Sequence, residues 1–141
     1  VWSGNPRHSN DHKRSIALAQ LRPLLDSDAQ FISLQPEVRD SDLPALEASP
    51  RLLDLRADIR DFEDTAALIE QLDLVISVDT SVAHLAGALD RPTWLLLPHK
   101  PDWRWLLARE DSPWYPGMRL FRQPRHDDWD GVMAALVQAI A

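Results

Sequence analysis

The strongest constraint on the fold is the apolar run at residues 74–78, which is followed at once by Asp79-Thr80-Ser81 and then by the apolar stretch 82–89. The first run has the length and the continuous apolar character of a strand buried on both faces. The second has the length of a helix and is apolar nearly all round, which predicts burial on several sides. The polar residues between them are of the types that begin helices. A buried strand that leads directly into a buried helix is typical of a parallel α/β sheet.

Strands and helices alternate along the rest of the chain. We predict four further strands, at residues 30–34, 52–55, 93–97 and 118–122. The spacing of apolar residues predicts helices at 15–25, at 65–72 and from Trp129 to the end of the chain. Pro23 is expected to kink or divide the first of them. This alternation favours a Rossmann-like α/β domain, in which a parallel sheet carries helices on both faces.

The first two residues, Val1-Trp2, have the character of a strand but are too few to form one. The turn residues Ser3-Gly4-Asn5-Pro6 follow them at once. We therefore interpret Val1-Trp2 as the end of a strand that begins earlier. On this interpretation residues 1–141 are a single domain of ordinary size, cut from a longer protein.

Composition excludes several classes of protein. The absence of Cys excludes disulfides, Cys-ligated zinc and thiol catalysis, and it suits a reducing cytoplasm. The formal net charge of -7 disfavours nucleic-acid binding, which needs a basic face. Four glycines are too few and too scattered for the dinucleotide or phosphate-loop motifs. His8 and His12 lack an evident third ligand, so we predict no metal site. No run is long enough for a membrane span and no signal-peptide pattern is present, so we expect a cytoplasmic protein.

The strongest candidate binding residues are Asp79, Thr80, Ser81 and His84. They follow the carboxyl end of the best strand, where doubly wound sheets bind their ligands. A helix N-terminus offers free N–H groups and a positive dipole end, which suit phosphate, and the two hydroxyl groups add donors. His84, one turn later, can donate to a phosphate or sugar oxygen. The alternative is an ordinary helix cap followed by a core histidine.

A second group of candidates is Ser3, Gly4, Lys13 and Arg14. The end of the first strand lies beside the strongest candidate residues if the strand order reverses between the two strands. Gly4 permits close approach of a ligand to the backbone, and Lys13 or Arg14 can neutralise a diphosphate. The alternative is a solvated basic loop. Gln35, just after the second strand, lies in a similar position with the same two interpretations.

Four of the six tryptophans fall within residues 94–114: Trp94, Trp103, Trp105 and Trp114. Tryptophan stacks on sugar rings and also packs at interfaces between domains. We expect most of this segment to form a hydrophobic patch that holds down a long loop, with direct ligand stacking as the alternative.

Taken in order, these segments resemble the C-terminal domain of glycosyltransferase family 9, the heptosyltransferase-like proteins. They resemble most the bacterial proteins in which tetratricopeptide repeats precede such a module. The resembling segments are residues 1–6, 13–15, 33–35, 61–66, 74–84, 86–87, 101–105 and 112–116.

The resemblance implies one half of a two-domain GT-B fold that binds a nucleotide-sugar donor. By that resemblance the donor diphosphate lies at Asp79, Thr80, Ser81 and His84, with Lys13 or Arg14 near the leaving group. The N-terminal domain of such enzymes binds the acceptor and carries the catalytic base, so we expect this fragment alone to be inactive. GT-B enzymes generally need no bound metal, and no other cofactor is implied.

The alternative function is a degenerate, non-catalytic module that keeps the fold for protein association. Two features favour this alternative. Heptosyltransferases usually have Gly where this chain has Ser81, and the segment 94–114 is unusually rich in Trp.

Overall fold

The computed structural model describes residues 1–141 and contains five short strands, all of them paired in parallel. The strands are β1 (Phe31–Ser33), β2 (Leu52–Asp54), β3 (Val75–Val78), β4 (Thr93–Leu97) and β5 (Met118–Arg122). β1 pairs with β2, and β3, β4 and β5 form a second ladder in that order. In register, Val75 lies opposite Thr93, and Thr93 lies opposite Met118.

Six helices connect or flank these strands. They are α1 (Asp11–Arg14), α2 (Arg22–Leu25), α3 (Leu43–Glu47), α4 (Phe62–Glu70), α5 (Ser81–Ala88) and α6 (Trp129–Ile140). Three turns of 3-10 helix lie at Leu18–Leu21, Asp40–Asp42 and Trp103–Trp105. None of the helices has the length and apolarity needed to cross a bilayer.

Val1 joins the two ladders. Its amino group donates to the Ile76 carbonyl at 2.9 Å, and the Val78 N–H donates to the Val1 carbonyl at 3.0 Å, which is the hydrogen-bond pattern of parallel strands. On the other side, the side-chain oxygen of Gln35 accepts from the N–H groups of Trp2 and Ser3, both at 3.2 Å. The order in space is therefore β2, β1, the Val1 segment, β3, β4, β5, and the strand order reverses between Val1 and β3.

Both faces of the sheet are covered, as predicted for a Rossmann-like α/β domain. Leu96 belongs to a core cluster with α2 and α6, whereas its strand neighbours Leu95 and Leu97 pack with Ala83 of α5 and with Trp105. Successive strand residues point to opposite faces, so this division shows helices on each side. The predicted stripe on α6 is confirmed by the burial of Trp129, Val132, Met133 and Leu136.

The predicted helix at 15–25 is wrong in its first part. The backbone at Ser15 and Ala17 is extended, because the Ile16 N–H donates to the Trp2 carbonyl at 2.8 Å and holds the segment beside the N-terminal strand. Helical structure begins only at Leu18. The helical segment is divided near Pro23 rather than kinked: a 3-10 turn ends at Leu21, and Pro23 lies in the first turn of α2, where a residue needs no N–H to donate.

The predicted start of the helix at residue 65 is also wrong, by three residues. The Asp61 carboxylate accepts hydrogen bonds from the N–H groups of Glu63 and Asp64, at 2.9 and 3.0 Å, so α4 begins at Phe62. The Asp61 side chain therefore caps α4, and this cap sets the earlier start of the helix.

We predict that Leu96→Ala lowers the free energy of unfolding by about 2–5 kcal/mol, because Leu96 is 1% exposed and its loss leaves a cavity between β4 and the helices. The matched control is Leu53→Ala, at a strand position that is 47% exposed, with an expected change within about 0.5 kcal/mol. Urea unfolding of both variants measures the difference. Equal losses would mean that the two faces of the sheet are not packed as described.

Candidate functional site

A polar cavity of about 470 Å³ lies at the carboxyl ends of β3 and β4. No hydrophobic side chain lines it. Its walls come from the loop around α1, the start of α5 and the loop after β4: His8, Asn10, Lys13, Arg14, Asp79, Thr80, Ser81, His84, Pro98, Lys100, Pro101, Asp102 and Arg104. We call this space the α5 cavity.

The α5 cavity carries an excess of positive charge in an acidic chain. Its fixed charges are four cations and two carboxylates: Lys13, Arg14, Lys100, Arg104, Asp79 and Asp102. Burial raises the pKa of the Asp102 carboxyl, but hydrogen bonds from the backbone N–H and the guanidinium of Arg104, at 3.1 and 2.7 Å, bring that pKa below its ordinary value. Asp102 therefore stays ionised and paired with Arg104. The chain contains no group of three His, Cys, Asp or Glu side chains that could hold a metal ion.

The first turn of α5 lies beside this cavity and contains N–H groups without an intrahelical acceptor. Thr80 is the extended N-cap residue, and the N–H groups of Ser81 and Val82 come too early in the helix to have an intrahelical acceptor. The Thr80 hydroxyl does not cap the helix. It lies 3.1 Å from the Ser77 hydroxyl, which itself donates to the Val78 carbonyl at 2.7 Å, so Thr80 donates to Ser77. The predicted cap region thus supplies the N-cap residue, Thr80, but no side-chain cap to α5.

His84 is held by two aromatic neighbours at the wall of the cavity. Its ring stacks on Trp105, with centroids 5.3 Å apart, and its Nδ1 lies 3.0 Å from the Tyr115 hydroxyl. Its Nε2 lies 3.8 Å from Asp79 Oδ1, which is beyond hydrogen-bond distance. The tautomer with the proton on Nε2 suits both polar neighbours. Nδ1 then accepts a hydrogen bond from the Tyr115 hydroxyl, and the Nε2 proton lies on the side of the Asp79 carboxylate. That tautomer leaves an N–H available to an anionic ligand.

Gly87 makes room for the tyrosine that orients His84. A Cβ atom at Gly87 would lie 2.5 Å from the Tyr115 ring, closer than atoms can pack. Only glycine lets the Tyr115 ring approach α5 closely enough to reach Nδ1 of His84. Gly87 therefore permits the Tyr115 contact that orients His84, a candidate binding residue one turn earlier in α5.

Gly4 has a comparable role for Arg14. A Cβ at Gly4 would lie 2.6 Å from the Arg14 guanidinium, which donates to the Asp79 carbonyl at 2.7 Å. The Arg14 side chain is only 18% exposed, so it is not part of a solvated loop, whereas Lys13 is exposed. The space at Gly4 is thus filled by Arg14, and the arginine fastens the α1 segment to the end of β3.

The remaining predicted residues line a second cavity, of about 750 Å³, on the other side of Arg14. Ser3, Gly4 and Gln35 line it, and it shares Arg14, Thr80 and Ser81 with the α5 cavity. We call it the Gln35 cavity. Gln35 itself is buried, and besides holding the N-terminal strand its amide donates to the Ser3 carbonyl at 3.0 Å.

The residues of the α5 cavity and its wall that were not among the predicted site residues include Lys100, Arg104 and Tyr115. Lys100 and Arg104 lie in the loop that follows β4, at the same edge of the sheet as Asp79. The rule that ligands bind at the carboxyl ends of strands would have found these two. Tyr115 lies 31 residues from His84 in sequence, and no local pattern indicates that they meet.

The tryptophans divide into two sets. Trp105 is completely buried and Trp94 packs on Phe121, in agreement with a packing role. Trp103 and Trp114 are 68% and 57% exposed, and their rings meet edge to face at 6.5 Å. Because these two rings are mostly exposed, they are not part of a buried patch that holds down the long loop after β4.

We predict that Gly87→Ala moves the Tyr115 ring and breaks its contact with His84. Alanine in a helix interior normally stabilises by about 1 kcal/mol relative to glycine, so a net loss of thermal stability would show that the Tyr115 contact dominates. The His84 ring signals in NMR report the contact directly. Tyr115→Phe, which removes only the hydroxyl, should shift the same signals with little loss of stability. If Gly87→Ala stabilised the chain and left His84 unchanged, the described packing would be incorrect.

Comparison with known proteins finds similarity to one family over part of the chain. The sequence model of glycosyltransferase family 9 (heptosyltransferase) matches residues 59–99, which contain α4, β3, α5 and β4. Protein FlbA of Caulobacter vibrioides is 34% identical over 91 residues, which are 64% of this chain and 14% of FlbA. The chain thus spans a small part of that relative's length. No solved structure matches the chain. These matches support a glycosyltransferase family 9-like α/β domain, with the turn from Asp79 to His84 inside the matched segment.

Proposed function

We propose that this chain is the donor-binding half of a GT-B glycosyltransferase and holds the diphosphate of a nucleotide sugar in the α5 cavity. The observation that carries the proposal is the excess of positive charge in that cavity, on a chain whose net charge is -7. The family 9 match over residues 59–99 supports the substrate class.

The parts of the α5 cavity suit a diphosphate. The N–H groups of Ser81 and Val82 and the dipole of α5 favour an anion at the helix start. Lys13 and Lys100 have flexible ammonium groups that reach it from two other walls. His84 Nε2 supplies a further donor from one turn along the helix. Hydrogen bonds of this kind strengthen as charge develops on the leaving diphosphate, so they can assist transfer without a metal.

The Gln35 cavity provides space for the nucleoside. It adjoins the α5 cavity along Arg14, Thr80 and Ser81, so one ligand can extend from one cavity into the other. Glu37 and Asp40 line it and offer carboxylate acceptors for ribose hydroxyls. The acceptor substrate and the catalytic base belong, on this proposal, to a partner domain outside these residues, and the protein works in the cytoplasm.

We predict that UDP, GDP or ADP binds the chain with a Kd between micromolar and low millimolar, about −8 to −4 kcal/mol, in calorimetric titrations with and without Mg²⁺. Lys13→Ala should weaken binding of the preferred nucleotide about 10- to 100-fold, because it removes a charged partner of the phosphates. Affinity should also fall as salt is raised.

The matched control is Arg22→Ala, which removes the same charge from α2, where the side chain is 77% exposed and outside both cavities. Its nucleotide affinity should equal that of the unchanged chain. Equal affinity for Lys13→Ala and the unchanged chain, or no binding of any of the three nucleotides, would contradict the proposal.

The exposed pair Trp103 and Trp114 favours a second candidate function, protein association. Leu107, in the same loop, is 72% exposed and extends the apolar surface. On this alternative the concentration dependence of sedimentation should reveal oligomers that the double variant Trp103→Ala, Trp114→Ala no longer forms, while Thr80→Ala has no effect. A chain that binds nucleotide and stays monomeric at all concentrations would exclude self-association.

A further inference from the structure

A small aromatic pocket of about 280 Å³ lies beside the α5 cavity. Its walls are formed by His84, Trp103, Arg104, Trp114 and Tyr115. His84 and Arg104 also line the α5 cavity, so the two spaces adjoin along these side chains. We call this space the tryptophan pocket. The inference below rests on the proposed function, because it concerns the group that a bound diphosphate carries.

The α5 cavity connects the tryptophan pocket with the Gln35 cavity. With the Gln35 cavity it shares Arg14, Thr80 and Ser81, and with the tryptophan pocket it shares His84 and Arg104. The Gln35 cavity and the tryptophan pocket have no lining residue in common. The order of the three spaces is thus the order of the three parts of a nucleotide sugar: nucleoside, diphosphate and sugar.

Hydrogen bonds and a cation–π contact hold the two exposed indoles of the pocket in place. Trp114 Nε1 donates to the Arg104 carbonyl at 3.0 Å, and the Trp114 N–H donates to the hydroxyl of buried Ser112 at 3.2 Å. Trp103 begins the 3-10 turn that the Asp102 carboxylate caps, and the Arg104 guanidinium lies 4.9 Å from the centroid of its ring. The loop therefore leaves two aromatic surfaces uncovered, and an uncovered indole favours a ligand with an apolar face of its own.

The polar groups of the pocket favour a neutral sugar. Arg104 is the one wall residue with a fixed charge, and that charge is balanced by the Asp102 carboxylate at 2.7 Å. Among the wall residues, a sugar carboxylate therefore finds no uncompensated cation, and a sugar ammonium finds no free carboxylate. The Tyr115 hydroxyl donates to His84 Nδ1 and can still accept a hydrogen bond from a sugar hydroxyl.

We propose that the tryptophan pocket holds the sugar of the donor, that this sugar is a single neutral pyranose, and that its C–H face packs against Trp103 and Trp114. The volume of the pocket lies just below the range of about 300–1,000 Å³ for ligand pockets, which suits one ring rather than two. His84 lies at the junction, with Nδ1 bound to Tyr115 of the pocket and Nε2 on the side of Asp79 in the α5 cavity. The link between the sugar and the diphosphate therefore passes His84.

The test compares the preferred nucleoside diphosphate with its glucose conjugate in calorimetric titrations. The double variant Trp103→Ala, Trp114→Ala removes both stacking surfaces, so it should weaken binding of the glucose conjugate about tenfold and leave the Kd of the diphosphate within about twofold. The variant Trp103→Phe, Trp114→Phe keeps two aromatic faces and should recover most of that affinity. The matched control is Leu107→Ala, at an apolar position of the same loop that is 72% exposed and outside the pocket, and it should change neither affinity.

Three results would overturn the inference while the diphosphate still binds as proposed. The first is a glucose conjugate whose affinity is the same with and without the two tryptophans. The second is an equal loss of affinity for the diphosphate and the conjugate in the alanine double variant. The third is a glucuronic acid conjugate that binds as tightly as the glucose conjugate, because the pocket would then accept a charged sugar. Failure of every nucleoside diphosphate to bind would contradict the proposed function itself, and this inference with it.

Discussion

The hydrogen bonding of β3 is the constraint on which the rest of the structure depends. On one side β3 pairs with β4, and on the other its backbone makes two hydrogen bonds with Val1. This arrangement reverses the strand order next to β3 and brings the loops after three strands to one edge of the sheet. The start of α5, the α1 segment and the loop after β4 meet there because their strands are parallel neighbours.

The candidate site packs side chains tightly against the backbone without a glycine-rich loop. The two glycines near it, Gly4 and Gly87, admit side chains of the protein: the guanidinium of Arg14 and the ring of Tyr115. Arg14 then reaches the Asp79 carbonyl, and Tyr115 fixes the ring of His84. The packing of Arg14 and Tyr115 thus sets the positions of a charged group and of the His84 ring in the site. Ser81 lies exposed at the start of α5.

Sequence patterns predicted the parts of the structure that depend on local or periodic information. The runs at 93–97 and 118–122 became β4 and β5 with those bounds, and the α/β class is confirmed. The extended stretch at Ser15 and Ala17 was missed because it depends on a hydrogen bond between Ile16 and distant Trp2. The helix spacing of 15–25 fits the burial of Leu21 and Leu25 but cannot reveal that bond. Contacts between side chains far apart in sequence, such as His84 and Tyr115, also cannot be predicted from local patterns.

The central claim is that an anion is held at the first turn of α5, and an NMR titration of backbone amides and histidine rings with the preferred nucleoside diphosphate tests it most directly. We expect the largest shifts at the N–H groups of Ser81 and Val82 and at the His84 ring, with smaller shifts at the backbone N–H groups of Lys13 and Lys100. Binding with these signals unchanged, and shifts at another surface, would contradict it.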